Sequence, residues 1–208
     1  MIDQATLFTY LAILFGFVFI PGPAVLLTLA RATSSGTKAG IATGLGIAVG
    51  DLVHTAMAVL GISAIILASA FLFSLIKYMG AAYLIYLGIR AILEKVPNSQ
   101  NLQVPTITPA KAFRQGAIAE VLNPKSALFF LAFLPQFVQV ENGLVPLQLT
   151  ILGVLFVLVG FFSTLVFAIG AGGIGSFLRR NPNVLRWQGK VVGSIYCALG
   201  VRLALQER

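Results

Sequence analysis

The chain has 208 residues, 58% of them hydrophobic and only 10% charged, and its mean hydropathy is +0.96. Soluble domains carry about 25% charged residues, so the composition excludes a water-soluble globule and implies an all-α, polytopic membrane protein. The net charge of +8 lies in loops and at helix ends, which suits topology and anionic lipid headgroups rather than nucleic acid.

Six spans of roughly 20 residues or more, each enough to cross a core of about 30 Å, are expected near 6–29, 39–70, 71–93, 112–138, 144–171 and 184–205. No Lys or Arg precedes the first apolar run, so it reads as a span rather than a signal peptide. That span contains Pro21-Gly22-Pro23-Ala24. Two prolines around a glycine cannot continue a helix. A break at membrane depth leaves backbone groups that lipid cannot satisfy, so it must be buried in protein or line a watery cavity. Beyond the break, Pro23 suits the first position of a half-helix whose free N–H groups attract anions.

A short basic turn is expected at 31–38, before the second span. That span carries Asp51, about 18 Å in from residue 39 at 1.5 Å per residue and so near the midplane. An ionised Asp there costs roughly 3 kcal/mol unless it meets a partner, a proton or water. Asp51 reads as a proton-coupling group or as a structural Asp paired with a neighbouring helix. His54, one turn on, reads as its proton-exchange partner, as a metal ligand, or as a hydrogen-bonded packing residue. Two such ligands make a poor transition-metal site, and no metal or cofactor is expected. The small-residue spacing of Gly40, Gly44, Gly46 and Gly50 implies close helix packing.

Residues 94–111, with three prolines, read as a linker between repeats at 1–93 and 112–208. The fourth span is broken in its turn. Asn123 is a good N-cap and Pro124 a good first helical residue, followed by Lys125 and Ser126. Lys125 either holds a substrate carboxylate or snorkels. Glu120 either faces the cavity or pairs with Arg114 or Lys125. Ser163 and Thr164 in the fifth span are expected to bond back to their own helix. A Gly-rich basic loop is expected after it, and Tyr83, Tyr86, Trp187 and Tyr196 read as interfacial or packing residues.

Ten of the 14 Lys and Arg residues fall in the turns after spans one, three and five, against three on the other side. This places both termini outside the cytoplasm. Lys77-x-x-Gly80-x-x-Tyr83 and Gly88-x-Arg90 recur as Lys190-x-x-Gly193-x-x-Tyr196 and Gly200-x-Arg202, while Pro21 aligns with Pro124 and Gly50 with Gly160. Three spans per half make the second copy inverted, a 3+3 inverted repeat with broken first and fourth helices. The position aligned with Asp51 is Phe161, so an apolar side chain suffices there and Asp51 reads as functional.

Pro21-Gly22-Pro23, Gly46-x-x-x-Gly50-Asp51, the 80–88 segment Gly-Ala-Ala-Tyr-Leu-x-Tyr-Leu-Gly, Leu122-Asn123-Pro124-Lys125 and Phe133-x-Pro135-Gln136-Phe137 together resemble the LysE/RhtB amino-acid exporters, over nearly the whole chain. The resemblance implies proton-driven efflux of an amino acid or close derivative across a bacterial inner membrane, with both repeats in one chain and a homodimer as one assembly open to it. Many relatives carry a polar residue where this chain has Ala24. On this reading Pro21, Gly22, Pro23, Ala24, Asn123, Pro124, Lys125 and Ser126 bind substrate, and Asp51, His54 and Glu120 couple protons. The alternative is a divalent-cation exporter, which wants several carboxylates converging on the first and fourth spans. An intramembrane enzyme fits less well, because His54 has no evident Ser or Cys nucleophile partner and Cys197 stands alone.

Overall fold

The computed structural model describes residues 2–19, 22–64, 70–93, 105–180 and 182–205. Helix is the regular structure found among them. The elements are α1 (Gln4–Phe19), α2 (Pro23–Ser35), α3 (Thr37–Met57), α4 (Ala70–Leu93), α5 (Pro109–Val121), α6 (Pro124–Leu128), α7 (Val145–Arg180) and α8 (Pro182–Leu205). A π-helical turn at Ala58–Ile62 extends α3. Another at Phe129–Phe133 extends α6, followed by a 3-10 turn at Leu134–Phe137.

Each start has a local cause. Gly22, extended at φ −103° and ψ −168°, leads into Pro23 at the head of α2. Thr108 caps α5 by accepting from the Lys111 N–H, just before Pro109. Asn123 caps α6, its Oδ1 accepting from the Lys125 N–H at 3.0 Å. Asp3 heads α1 in the same way, accepting from the Thr6 N–H at 2.9 Å.

Two expected turns differ. The basic turn at 31–38 shrinks to Gly36, which alone reverses the chain between α2 and α3 at φ 87°. The expected Gly-rich loop after residue 171 is helix, because α7 runs 36 residues to Arg180. Isolated glycines cost about 1 kcal/mol each in a helix, far less than exposing backbone polar groups to lipid. At 1.5 Å per residue this helix is about 54 Å long and outruns the hydrocarbon core.

Two helical stretches, Thr37–Ile62 and Val145–Gly173, are long and apolar enough to cross a membrane. The α1–α2 pair, bent by 47°, and the Pro109–Val121 and Pro124–Phe137 pair, bent by 43°, raise that to four if each is one span. Large apolar side chains cover the outside, with Phe8, Leu60 and Phe71 each more than 70% exposed, as a lipid-facing surface requires.

The interior is a set of close helix crossings. A Cβ on Gly46 would fall 2.1 Å from the Phe113 carbonyl oxygen, and one on Gly116 2.4 Å from that of Thr43, so α3 and α5 touch backbone to backbone; with Gly50 one step on against Glu120, they run parallel. On its other side α3 runs antiparallel to α7, with Gly44 against Thr164 and Thr55 against Gly153. The stripe of small residues thus serves three neighbours, because a Cβ on Gly40 would fall 2.5 Å from that of Ala32 in α2. Gly88 and Gly193 pack reciprocally, bringing α4 and α8 together antiparallel. One aromatic core, including Tyr10, Phe17, Phe129, Phe130, Phe133, Phe137 and Phe156, fills the space around α1, α6 and α7. Tyr196, expected as an interfacial or packing side chain, is buried in this core.

Candidate functional site

The ends of the two broken pairs meet. A cavity of about 40 Å³ lies between the end of α1 (Phe17, Val18), the start of α2 (Gly22 to Val25), Ile47 and Asp51 of α3, Glu120, Asn123, Lys125 and Ser126 around the second break, and Phe156, Gly160 and Thr164 of α7. The first N–H groups of a helix have no partner within it, so α2 presents its positive end at Ala24 and Val25. The volume suits water, not an amino acid.

The second break is tied internally. Asn123 Nδ2 donates to both Glu120 carboxylate oxygens, at 3.1 and 3.2 Å, and lies 3.2 Å from Ser126 Oγ. Ser126 Oγ also donates to Glu120 Oε1. Glu120 therefore faces the cavity. His54 Nε2 lies 2.9 Å from the Glu120 backbone oxygen. A carbonyl only accepts, so Nε2 is the donor. The imidazole stacks on Phe130 at 5.7 Å, so this bond ties α3 to the second break rather than joining His54 to Asp51.

Asp51 is 2% exposed, and its Oδ1 has no hydrogen-bond partner among the described residues. Its carboxyl adjoins that of Glu120, with the Lys125 ammonium nearby. A buried carboxylate oxygen left without a donor is costly, and Asp51 is one of the residues lining the cavity, so its carboxyl is a candidate acceptor for a cationic or N–H group.

Lys125 reaches across to the first break. Its Nζ lies 3.4 Å from the Phe17 carbonyl oxygen, 4.1 Å from the centre of the Phe17 ring and 5.4 Å from that of Tyr196. Ser163 also turns towards α1, donating to the Val18 carbonyl at 2.8 Å instead of to its own helix. Thr164 does bond back, to Phe161. The last carbonyls of α1 are therefore met by α6 and α7.

Among the sequence-derived candidates, Gly22, Pro23, Ala24, Asp51, Glu120, Asn123, Lys125 and Ser126 share the cavity wall. Pro124 is exposed and His54 stands behind Glu120. Pro21 lies outside the described residues. Sequence reasoning missed Phe17, Phe156 and Gly160 as lining residues. Phe17 precedes the break by less than two turns, and Gly160 aligned with Gly50 beside Asp51, which were the available signals.

A second cavity, of about 260 Å³, lies towards the α1 N-terminus between Thr6, Thr9, Ile13, Phe133, Gln136, Phe137 and Arg202. Phe129 stands between the two, 4.5 and 4.8 Å from the Phe17 and Phe156 rings that line the first and 5.0 Å from Phe133 of the second.

No solved structure matches the chain. The membrane protein YrhP of Bacillus subtilis (strain 168) is 33% identical over 211 residues, spanning 96% of this chain and 99% of its own. A membrane protein of Vibrio cholerae serotype O1 is 29% identical over 188 residues, covering 90% and 91%. The leucine efflux protein of Salmonella typhimurium is 25% identical over 197 residues, covering 94% and 93%. The sequence model of the LysE type translocators matches residues 15–207, and the chain belongs to that family.

Proposed function

We propose that the protein exports a small neutral, zwitterionic amino acid across a bacterial inner membrane in exchange for protons. The observation that carries this reading is the meeting of both breaks at one cavity lined by Asp51, whose buried Oδ1 has no hydrogen-bond partner among the described residues. The substrate carboxylate is received by the α2 N-terminus at Ala24 and Val25 and by Lys125. The substrate ammonium is received by the Asp51 and Glu120 carboxyls. A proton and that ammonium compete for the same carboxyl pair, so loading one releases the other, which is the logic of antiport. The leucine-efflux relative supports the substrate class.

Six spans as an inverted repeat account for the contacts. α1 runs parallel to α7, through Tyr10 to Leu152 and Val18 to Ser163, as α5 runs parallel to α3. The two self-paired crossings, α3 with α7 and α4 with α8, are antiparallel, as a two-fold axis in the membrane plane demands. α4 and α8 have 24 residues each, about 36 Å of helix. Both termini then lie on the periplasmic side. Because the cavity admits only water, substrate entry requires the half-helices to part, with Phe129 as the partition to the outer cavity.

The divalent-cation reading uses the same carboxyl pair. Calcium takes 6–8 oxygen ligands, whereas here two carboxyls share the cavity wall with a lysine side chain.

The test is transport in proteoliposomes with an imposed pH difference, screened over the twenty amino acids and homoserine. Gradient-driven accumulation of at least one neutral amino acid is expected. Movement of none of them defeats the reading.

A further inference from the structure

We propose that Lys125 determines the charge specificity of the site, excluding amino acids with a cationic side chain, such as lysine, arginine and ornithine, by filling with its own ammonium the cradle their side-chain cation would take. This rests on the amino-acid export reading above and adds to it which substrates are refused.

The cradle is built for a cation. The Phe17 carbonyl belongs to the last turn of α1, where carbonyls lack intrahelical partners and gather the negative end of the helix. The Phe17 and Tyr196 rings present their electron-rich faces to the same ammonium, at 4.1 and 5.4 Å. The root of the Lys125 side chain is fixed, because its backbone N–H is held by Asn123 Oδ1 at 3.0 Å in the cap of α6. The bare backbone at Gly22 leaves room for the ammonium where it lies, since a Cβ there would stand 3.0 Å from Nζ and press on it.

Charge placement does the rest. A neutral amino acid brings one ammonium and one carboxylate, and the cavity answers with the Asp51–Glu120 pair and with the α2 terminus and Lys125. A dibasic amino acid brings a second ammonium, and the cation cradle within this site is already occupied. Two ammonium groups packed together inside protein repel far more than in water, and a built-in repulsion is an effective way to reject a competitor. Replacing Lys125 by an uncharged residue of similar length removes the ammonium from the cradle. The side-chain ammonium of lysine then takes the place of Nζ on the Phe17 carbonyl.

A purely structural Lys125 behaves differently. Its loss would weaken handling of every substrate together, leaving the ratio between substrates unchanged.

The experiment compares wild type, Lys125→Met, Lys125→Gln and Lys125→Arg in proteoliposomes loaded with labelled leucine or labelled lysine, and records heat stability with each ligand. Wild type is expected to export leucine, to ignore lysine and to show no competition by lysine. Both uncharged variants should raise the lysine-to-leucine ratio by about tenfold or more, with lysine now stabilising the protein. Lys125→Arg should keep the wild-type preference. Uncharged variants that still move leucine yet refuse lysine overturn the proposal. Should both fail to insert, wild type decides, because lysine competing there as well as leucine overturns it equally. A wild type that moves no amino acid defeats the export reading and this proposal with it, an outcome separate from the other two.

Discussion

The Ser163 hydroxyl donates to the Val18 carbonyl oxygen at 2.8 Å, joining the middle of α7 to the end of the broken first helix. Both residues are buried, so the Ser163 hydroxyl is the donor the protein itself supplies to this carbonyl. Its neighbour Thr164 bonds instead to Phe161 in its own helix, a carbonyl that a helix can satisfy without help. Ser163→Ala should therefore cost about 1–3 kcal/mol, the penalty of an orphaned buried acceptor, and Thr164→Val markedly less. Denaturation of the detergent-purified variants measures both. Equal losses would mean that the bond across the break carries no special weight.

The same pair shows what the sequence could and could not reveal. Breaks, caps and the midspan acid are local chemistry. Proline lacks an N–H wherever it stands, Asn123 caps the residues that follow it, and Asp51 is anomalous in any apolar run. These were legible, and they brought eight of the candidate residues to one cavity wall. Partners across the fold were not legible. Nothing in Ser163 or Thr164 distinguishes a hydroxyl that bonds back from one that reaches α1. Nor does the sequence show Lys125 lying on Phe17 or His54 holding the Glu120 carbonyl, because both depend on the crossing of α3 with α5 and of the two breaks. The helical 172–180 segment is not legible in the sequence because Gly170, Gly172, Gly173 and Gly175 are turn signals, although each costs a helix only about 1 kcal/mol.

Asp51→Asn keeps the shape and the hydrogen-bonding capacity of the side chain and removes its titratable proton. Insertion and substrate exchange should persist, while accumulation driven by a pH difference is lost. Accumulation that survives in Asp51→Asn vesicles would place the coupling group elsewhere in the chain, with Glu120 the next to examine.

Topology follows from the charge asymmetry, and reporter fusions test it. A reporter at Ser99 should be active in the cytoplasm and one at Arg208 in the periplasm. A cytoplasmic carboxyl terminus would overturn this topology.

At the other rim, Asp3 ties the head of α1 to the turn before α7. The Thr6 N–H, then the Thr6 hydroxyl and the Gln139 side chain, hold its carboxyl below the ordinary value of 3.8. A carboxyl so lowered stabilises the fold above its unfolded value, and the contribution fades as pH falls through the folded value. Hydrogen-exchange protection at Thr6 should accordingly be steady from neutral pH down to that region and then fall. Asp3→Asn still caps the helix but should lose this pH dependence. Identical profiles for the two proteins would assign the fall to other groups.

The last prediction separates a site from a packing gap. Gly160 lies inside α7 on the cavity wall, and a Cβ there would meet Asp51 Oδ2 at 3.6 Å, an ordinary contact. Gly46 lies inside α3, where a Cβ would fall 2.1 Å from the Phe113 carbonyl oxygen. Alanine is favoured over glycine within a helix by about 1 kcal/mol, so Gly160→Ala should insert normally and resist heat as well as wild type or better. Gly46→Ala must drive α3 and α5 apart, and should lower stability whatever the substrate. If the cavity were only a gap in the packing, the Gly160 methyl group would fill it to advantage and transport would be untouched. If the cavity is where the substrate ammonium meets Asp51, the methyl group stands against that carboxylate, at its Oδ2. Leucine affinity should then fall by about tenfold, some 1.4 kcal/mol. Ligand-induced stabilisation and transport, measured on the same preparation of Gly160→Ala, distinguish the two. A heat-stable variant that transports leucine like wild type would remove this cavity from the transport path.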